Sequence, residues 1–133
     1  MSGHDQARDR NGLLNGRKII VADDIAVFRR ALVRQLGFLG MEVRGAGSLE
    51  ELEQYLSEYS PNAVLLDWHF GGQTAEDVLE SLRARWIPAI VLTGDPEGVK
   101  IPGVPILGKP VELGLLRHHL VEVLTDSPRE SSM

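Results

Sequence analysis

The stretch Ala63-Val64-Leu65-Leu66-Asp67 decides the fold class of this chain. Four consecutive apolar residues are typical of a strand that is covered on both faces, as in a parallel sheet flanked by helices. The run ends on a carboxylate, so Asp67 is expected at the C-terminal mouth of the strand. Ligands of open α/β sheets bind beyond this edge, although Asp at a strand end also commonly begins a turn. The residues that end the other strands decide between these two roles.

An order of strand followed by helix repeats along the chain. Four further short apolar segments predict strands, at 18–22, 41–44, 89–92 and 104–107. Apolar residues spaced by three and four predict helices after the first three strands and after the last one. Ser48 and Glu51 form the capping-box pattern of a helix start, and Thr74 is a second candidate cap. This order predicts a doubly wound α/β fold with a five-stranded parallel sheet.

The segment 94–107 interrupts the repeat where another crossover helix is expected. Pro96, Pro102 and Pro105 lie too close together for a stable helix, so we predict a loop with at most one helical turn. Because Pro105 cannot donate a hydrogen bond to a sheet, the fifth strand is predicted at the sheet edge.

Length and composition predict one domain and exclude several function classes. The 133 residues fit a single domain, and we expect a disordered N-terminal tail over 1–16, a folded domain over 17–125 and a short tail over 126–133. A net charge of −5 argues against a nucleic-acid partner, and the absence of cysteine excludes disulfides and thiolate sites. No apolar run approaches the roughly 20 residues that span a bilayer, and the polar N-terminus lacks a secretory signal. We therefore expect a cytoplasmic protein that does not contact the membrane.

Polar side chains end four of the predicted strands, and parallel strands bring their carboxyl ends to one edge of the sheet. These residues are Asp23, Asp24, Asp67, Thr93 and Lys109. Three carboxylates forced together repel one another unless a cation is present, and an all-oxygen cluster suits Mg²⁺. With an ammonium and a hydroxyl beside them, such a site could accept a phosphoryl group on an ionised aspartate.

The four strand ends together resemble the signature segments of the response-regulator receiver domain. The matching segments, in the order that the family has them, are Val21-Ala22-Asp23-Asp24, Leu65-Leu66-Asp67, Val91-Leu92-Thr93-Gly94 and Gly108-Lys109-Pro110. The resemblance implies a flavodoxin-like (βα)5 fold over residues 17–125, here with the fourth helix reduced to a loop. It implies a phosphoprotein of two-component signal transduction that carries an aspartyl phosphate.

Individual roles follow from the same resemblance. It implies that Asp67 is the phosphoacceptor, served by a histidine kinase or a phosphotransfer protein. It implies that Asp24 binds Mg²⁺ directly together with Asp67, that Asp23 acts largely through water, and that the backbone carbonyl of His69 completes the protein ligands. Thr93 would move toward the phosphate and Lys109 would pair with it.

The Lys109–Pro110 peptide bond is expected to be cis, as in the family.

The chain departs from the family at two points. Receiver domains usually have Tyr or Phe three residues before the lysine, where this chain has Ile106, and the usual fourth helix does not fit between Thr93 and Lys109. The short segment resembles a subgroup of single-domain receivers that are often paired with histidine kinases of the HWE type. The resemblance then implies that phosphorylation is read out by the 94–107 loop, and that the signal passes to an unknown downstream protein without an output domain.

The resemblance implies a phosphoacceptor switch, which catalyses only its own phosphorylation and dephosphorylation and is not otherwise an enzyme. Two other functions remain as alternatives. A pseudo-receiver would bind a partner without phosphorylation, which fits Ile106 and the missing helix. A small phosphohydrolase of the haloacid-dehalogenase type would share an Asp nucleophile, but it needs a second Asp two residues later, where this chain has His69.

Several other residues have both a structural and a functional interpretation. Arg29 and Arg30 are expected on the solvent-exposed face of the first helix, which could also contact a kinase. The tryptophans Trp68 and Trp86 either pack around the site and the third helix or mark a binding surface. The adjacent His118 and His119 diverge on a helix, so a solvated face is expected rather than a shared metal site.

Overall fold

The computed structural model describes residues 12–72 and 74–125. The predicted tails at 1–11 and 126–133 lie outside these residues. Within these ranges, five strands alternate with four α-helices. In chain order they are β1 Lys18–Ala22, α1 Ala26–Phe38, β2 Glu42–Ala46, α2 Leu49–Tyr59, β3 Ala63–Asp67, α3 Glu76–Ala84, β4 Ala89–Thr93, β5 Ile106–Gly108 and α4 Leu113–Thr125. Two short 3-10 turns, Phe70–Gly72 and Pro96–Gly98, follow β3 and β4.

All five strands are parallel and form one sheet in the order β2-β1-β3-β4-β5. This order confirms the predicted doubly wound fold, because right-handed crossovers place successive helices on opposite faces of such a sheet. It also places β5 at an edge, as predicted. The polar ends of β1 and β3 are neighbours, since Ala22 pairs with Leu66 in the register of these strands.

Alternate residues of each central strand enter two separate cores. Ile19 and Val21 of β1 pack with α1 and α4 on one face, whereas Ile20 and Ala22 pack with α2 and α3 on the other. All five residues of β3 are buried, as the apolar run predicts for a strand covered on both sides. The two cores fix β3, and therefore Asp67, in the middle of the sheet.

The ordered part of the protein begins before residue 17. Leu14 is fully buried in the core beside α1 and α4, and the amide of Gly16 donates to the carbonyl of Gly40 at 2.8 Å. The expectation of a disordered tail as far as residue 16 is therefore wrong for residues 12–16. Composition missed this segment because a single buried leucine anchors it.

The helix starts differ in detail from the predicted caps. The Ser48 hydroxyl accepts from the amide of Glu51 at 3.1 Å, but the Glu51 carboxylate reaches back to the amide of Gly47 at 2.7 Å and not to that of Ser48. Thr74 does not cap α3, since its hydroxyl donates to the Glu76 side chain and Ala75 is the residue before the helix. The local pattern identified both helix starts but only one of the caps.

Between β4 and β5 the chain forms only the 3-10 turn Pro96–Gly98 and irregular backbone. The prolines account for this, because none of them can donate a helical hydrogen bond. Strand β5 begins at Ile106, later than predicted, and the carbonyl of Pro105 still accepts from the amide of Val91 at 2.9 Å. Strand β2 is likewise shifted toward the C-terminus, to Glu42–Ala46. Within the described ranges, no helix has the length and apolarity to cross a membrane.

Candidate functional site

The carboxyl ends of four strands bring the polar residues together at one edge of the sheet. Asp23 follows β1, Asp67 ends β3, Thr93 ends β4 and Lys109 follows β5. Asp23, Asp67 and Thr93 are buried at 1%, 7% and 4% exposure, and they are the polar residues in the buried part of the described chain. Buried polar groups are costly unless they are paired, so this edge is built around specific contacts.

Lys109 connects two of the carboxylates. Its ammonium nitrogen Nζ lies 2.8 Å from Asp23 Oδ2 and 3.0 Å from Asp67 Oδ1. The lysine side chain is 18% exposed and the Asp67 side chain 9%, so both ion pairs are largely shielded from water. Burial by itself lowers the pKa of the Lys109 ammonium, but the hydrogen bonds and charges of Asp23 and Asp67 outweigh it and raise the pKa above its ordinary value. Lys109 therefore stays charged at neutral pH.

The loop between β1 and α1 is held by hydrogen bonds to Asp23. The Oδ1 of Asp23 accepts from the amide of Ile25 at 2.9 Å, and the backbone carbonyl of Asp23 accepts from Arg29 Nη1 at 2.8 Å. The prediction that Arg29 lies on the solvent-exposed face is wrong: Arg29 is half-buried, while Arg30 is exposed. The helical pattern could not reveal this contact, because it depends on how α1 packs against the loop.

The three carboxylates form a cluster that could hold a metal ion. One oxygen each of Asp23, Asp24 and Asp67 lies within 4.8 Å of the others, and no other acidic or histidine cluster of this size occurs among the described residues. Asp24 is exposed. An all-oxygen donor set with one solvent-facing carboxylate suits a hard cation that keeps some of its waters, such as Mg²⁺.

The remaining predicted site residues lie at or just after the carboxyl ends of the same strands. The Thr93 hydroxyl accepts from the amide of Asp95 at 3.2 Å. The carbonyl of His69 accepts from the amide of Gly72 at 3.2 Å, and the histidine itself is exposed. The peptide bond between Lys109 and Pro110 is cis.

Ile106 lies at the start of β5 and is half-buried against the loop that follows β4.

The two tryptophans have different environments. Trp68 packs against the core beneath α2 and α3, which supports its structural interpretation. Trp86 is 56% exposed and adopts a φ of 61° after the end of α3. His118 and His119 each lie 3.4 Å from a carboxylate oxygen of Glu122, and neither belongs to the metal-binding cluster.

Sequence reasoning missed one aromatic neighbour of the site. Phe28 is one of the apolar residues whose spacing predicts the first helix, and Lys109 Nζ lies over its ring, 4.4 Å from the centroid. A phenylalanine in a helix gives no local signal for such a contact, because its partner follows β5 at the other end of the chain.

Comparison with solved structures identifies the family. The chain aligns with a response regulator receiver protein from Pseudomonas putida at 30% sequence identity and a TM-score of 0.71, covering 80% of its own length and 97% of that chain. The chain belongs to the response regulator receiver family. A CheY-like response regulator receiver domain protein from Methanospirillum hungatei JF-1 has the same fold, with a TM-score of 0.73 at 21% identity. The resemblance found from the four strand ends is thereby confirmed.

A curated relative of this receiver domain is a much larger protein. The sensory/regulatory protein RpfC of Xanthomonas campestris is 31% identical over 91 residues, which cover 62% of this chain and 12% of RpfC. The chain thus matches only a small part of that relative. No protein-family model matches the chain.

Proposed function

We propose that this receiver domain is a phosphorylation-activated switch in which Asp67 accepts a phosphoryl group. The observation that carries the proposal is the bridge from Lys109 to both Asp23 and Asp67. This bridge supports the proposal because a shielded ammonium lies next to the Asp67 carboxylate. Asp67 Oδ1 accepts from Lys109 Nζ, so Oδ2 would be the oxygen that forms the bond to phosphorus.

The residues of the site suit phosphoryl transfer. An ionised oxygen of Asp67 forms a bond to the donor's phosphorus while the phosphorus–nitrogen bond of a phosphohistidine breaks. The imidazole leaves with the electron pair of that bond and takes up a proton. In this proposal Lys109 would neutralise the phosphoryl oxygens and the Thr93 hydroxyl would hydrogen-bond them, which is what a loose transition state requires.

The acidic cluster supports Mg²⁺ as the cofactor. Asp24 and Asp67 would hold the ion, Asp23 would contribute largely through water, and the His69 carbonyl would complete the protein ligands. The Asp23 carboxylate already accepts hydrogen bonds from Ile25 and Lys109, which favours the less direct role for it. When bound, Mg²⁺ supplies positive charge to the phosphoryl oxygens.

The partners follow from the same chemistry. A histidine kinase or a histidine-containing phosphotransfer protein would donate the phosphoryl group. The downstream partner would be a protein that distinguishes the 94–107 loop of the phosphorylated domain from that of the unphosphorylated domain. The loop would respond to phosphorylation because it begins at the residue after Thr93. This sequence of events makes the domain a signalling switch and not an enzyme with external substrates.

The test is Mg²⁺-dependent labelling with acetyl phosphate, followed by intact-protein mass spectrometry. The parent protein is expected to gain one phosphoryl group with Mg²⁺ and none with EDTA, and Asp67→Asn is expected to gain none. Asp77→Asn, which removes an exposed carboxylate from the first turn of α3, is the matched control and should label like the parent. A parent protein that gains no phosphoryl group would leave a pseudo-receiver as the better description, and steady hydrolysis of small phosphate esters would favour the phosphohydrolase.

A further inference from the structure

Phe28 lies beneath the ammonium group of Lys109, although the two residues are far apart in the sequence. Phe28 belongs to α1, and Lys109 follows β5. Nζ of Lys109 is 4.4 Å from the centroid of the Phe28 ring, within the range of a cation–π interaction. We propose that Phe28 is a positioning residue that holds Lys109 beside the Asp67 carboxylate that accepts the phosphoryl group. This inference rests on the proposed function of Asp67 and Lys109.

Lys109 needs such a support because of the nature of its side chain. A lysine ends in a compact charge on a flexible four-carbon stem, so its position is set by the groups around the ammonium. Two of the three N–H donors have carboxylate acceptors, on Asp23 and Asp67. Both acceptors belong to the acidic cluster, so a divalent cation there would compete with the ammonium for these two carboxylates.

The Phe28 ring offers an attraction that this competition does not remove. Its negative π face attracts a cation, and it carries no oxygen that a metal ion could bind. The ring is held in place from two sides, since Phe28 packs against the core beside α1 and α4 and the next residue, Arg29, is anchored to the carbonyl of Asp23. The ring thus gives Lys109 a fixed contact in every state of the cluster.

A matched set of substitutions separates the effect of the aromatic π face from the effect of the apolar volume of the side chain. Phe28→Leu keeps an apolar side chain but removes the π face, whereas Phe28→Tyr keeps the ring at a half-buried position where a hydroxyl can reach water. Val27→Ala alters the neighbouring side chain, which is 80% exposed, and serves as the control for general effects on α1.

The first readout is the proton chemical shift of the Lys109 ε-methylene group, measured without Mg²⁺ or a phosphoryl donor. Protons that lie over an aromatic ring are shifted upfield. We expect this shift in the parent, in Phe28→Tyr and in Val27→Ala, and its loss in Phe28→Leu. An unchanged shift in Phe28→Leu would overturn the proposal.

The second readout is the rate of labelling by acetyl phosphate with Mg²⁺. Phe28→Leu is expected to be labelled about three- to tenfold more slowly than the parent, in keeping with the strength of a partly desolvated cation–π contact. Phe28→Tyr should retain most of the parent rate and Val27→Ala all of it. Equal slowing in Phe28→Leu and Phe28→Tyr, or a parent rate in Phe28→Leu, would contradict a role for the ring.

The two readouts distinguish this inference from the proposed function. If the parent is not labelled at all, the proposed function fails, but the methylene shift still reports whether the ring holds Lys109. If the parent is labelled but Phe28→Leu matches it in both the methylene shift and the labelling rate, the inference about Phe28 fails and the proposed function stands.

Discussion

The charges at the site do not balance within the protein. Asp23, Asp24 and Asp67 bring three carboxylates within 4.8 Å of one another, and Lys109 is the cation that contacts two of them. Even with the Arg29 guanidinium, which donates to the Asp23 carbonyl, two cations do not neutralise three carboxylates, so a divalent cation is expected to relieve the remaining repulsion. Asp24 is the exposed member and the most accessible to a hydrated ion.

Replacing Asp24 by Asn should therefore weaken Mg²⁺ binding more than about tenfold, because a full negative charge next to the ion is lost. The same change removes a like charge from the cluster, so the free energy of unfolding without Mg²⁺ should stay the same or rise slightly. The measurement is a Mg²⁺ titration followed by tryptophan fluorescence, since Trp68 directly follows Asp67. Asp77→Asn is the control, and equal Mg²⁺ affinity in Asp24→Asn and the parent would argue against a metal ligand at position 24.

Contacts between elements hold the sheet edge opposite β5. The hydroxyl of Tyr59, the last residue of α2, donates to the carbonyl of Glu42 in β2 at 2.7 Å. Burial, and then the charge of Glu42, raise the pKa of the Tyr59 hydroxyl, while Arg44 partly opposes them. The helix is thus joined to the edge strand by a bond that exists only while Tyr59 is protonated.

Tyr59→Phe should lower the free energy of unfolding by about 1 kcal/mol near neutral pH, the net worth of one hydrogen bond. A tyrosine whose pKa is raised on folding contributes stability that is present below about pH 10 and is lost as the pH rises through the higher folded value. The difference between the parent and Tyr59→Phe should therefore shrink above about pH 10. Urea denaturation at neutral and alkaline pH measures it, with Tyr55→Phe on the same helix as the control. A difference that grows with pH would contradict the assignment.

The elements were predictable where local pattern and tertiary environment agree. Strand β3 has the predicted bounds because an apolar run that ends in Asp67 is compatible with little else than a strand buried on both faces. The strand ends were predictable for the same reason, since parallel topology alone brings Asp23, Asp67 and Lys109 to one edge. Local pattern was insufficient at Thr74, where the side chain bonds to Glu76 instead of capping α3.

Contacts between distant segments could not be predicted from the sequence. The anchoring of Leu14 in the core, the bond from Arg29 to Asp23 and the ring of Phe28 under Lys109 all depend on how α1 lies against the sheet. Each of these residues has an ordinary role in its own segment. Their contribution to the site appears only when the helices are packed.

The whole molecule has a direct link between the site and the segment that replaces a crossover helix. The Thr93 hydroxyl, buried at the site, accepts from the amide of Asp95, which is the residue before the 3-10 turn Pro96–Gly98. If this hydroxyl turns toward a phosphoryl group on Asp67, the Asp95 amide loses its acceptor. A local change at the site would then be transmitted to the loop that ends at Ile106.

Phosphorylation should therefore speed amide hydrogen exchange at Asp95 and alter exchange across the 94–107 loop. The measurement compares the protein with and without the phosphoryl analogue beryllofluoride, in the presence of Mg²⁺. Thr93→Val lacks the acceptor, so its Asp95 amide should exchange rapidly in both states. An Asp95 amide that exchanges at the same rate with and without the analogue in the parent would show that Thr93 does not transmit the signal.

Mapping the labelled residue shows whether Asp67 carries the phosphoryl group. An aspartyl phosphate is reduced by borohydride to homoserine, whereas an unmodified aspartate is not, so peptide mass spectrometry after labelling with acetyl phosphate and Mg²⁺ locates the modified position. We expect homoserine at position 67, none at positions 23 or 24, and none anywhere in Asp67→Asn. Homoserine at another aspartate in the parent, or its formation in Asp67→Asn, would show that Asp67 is not the phosphoacceptor.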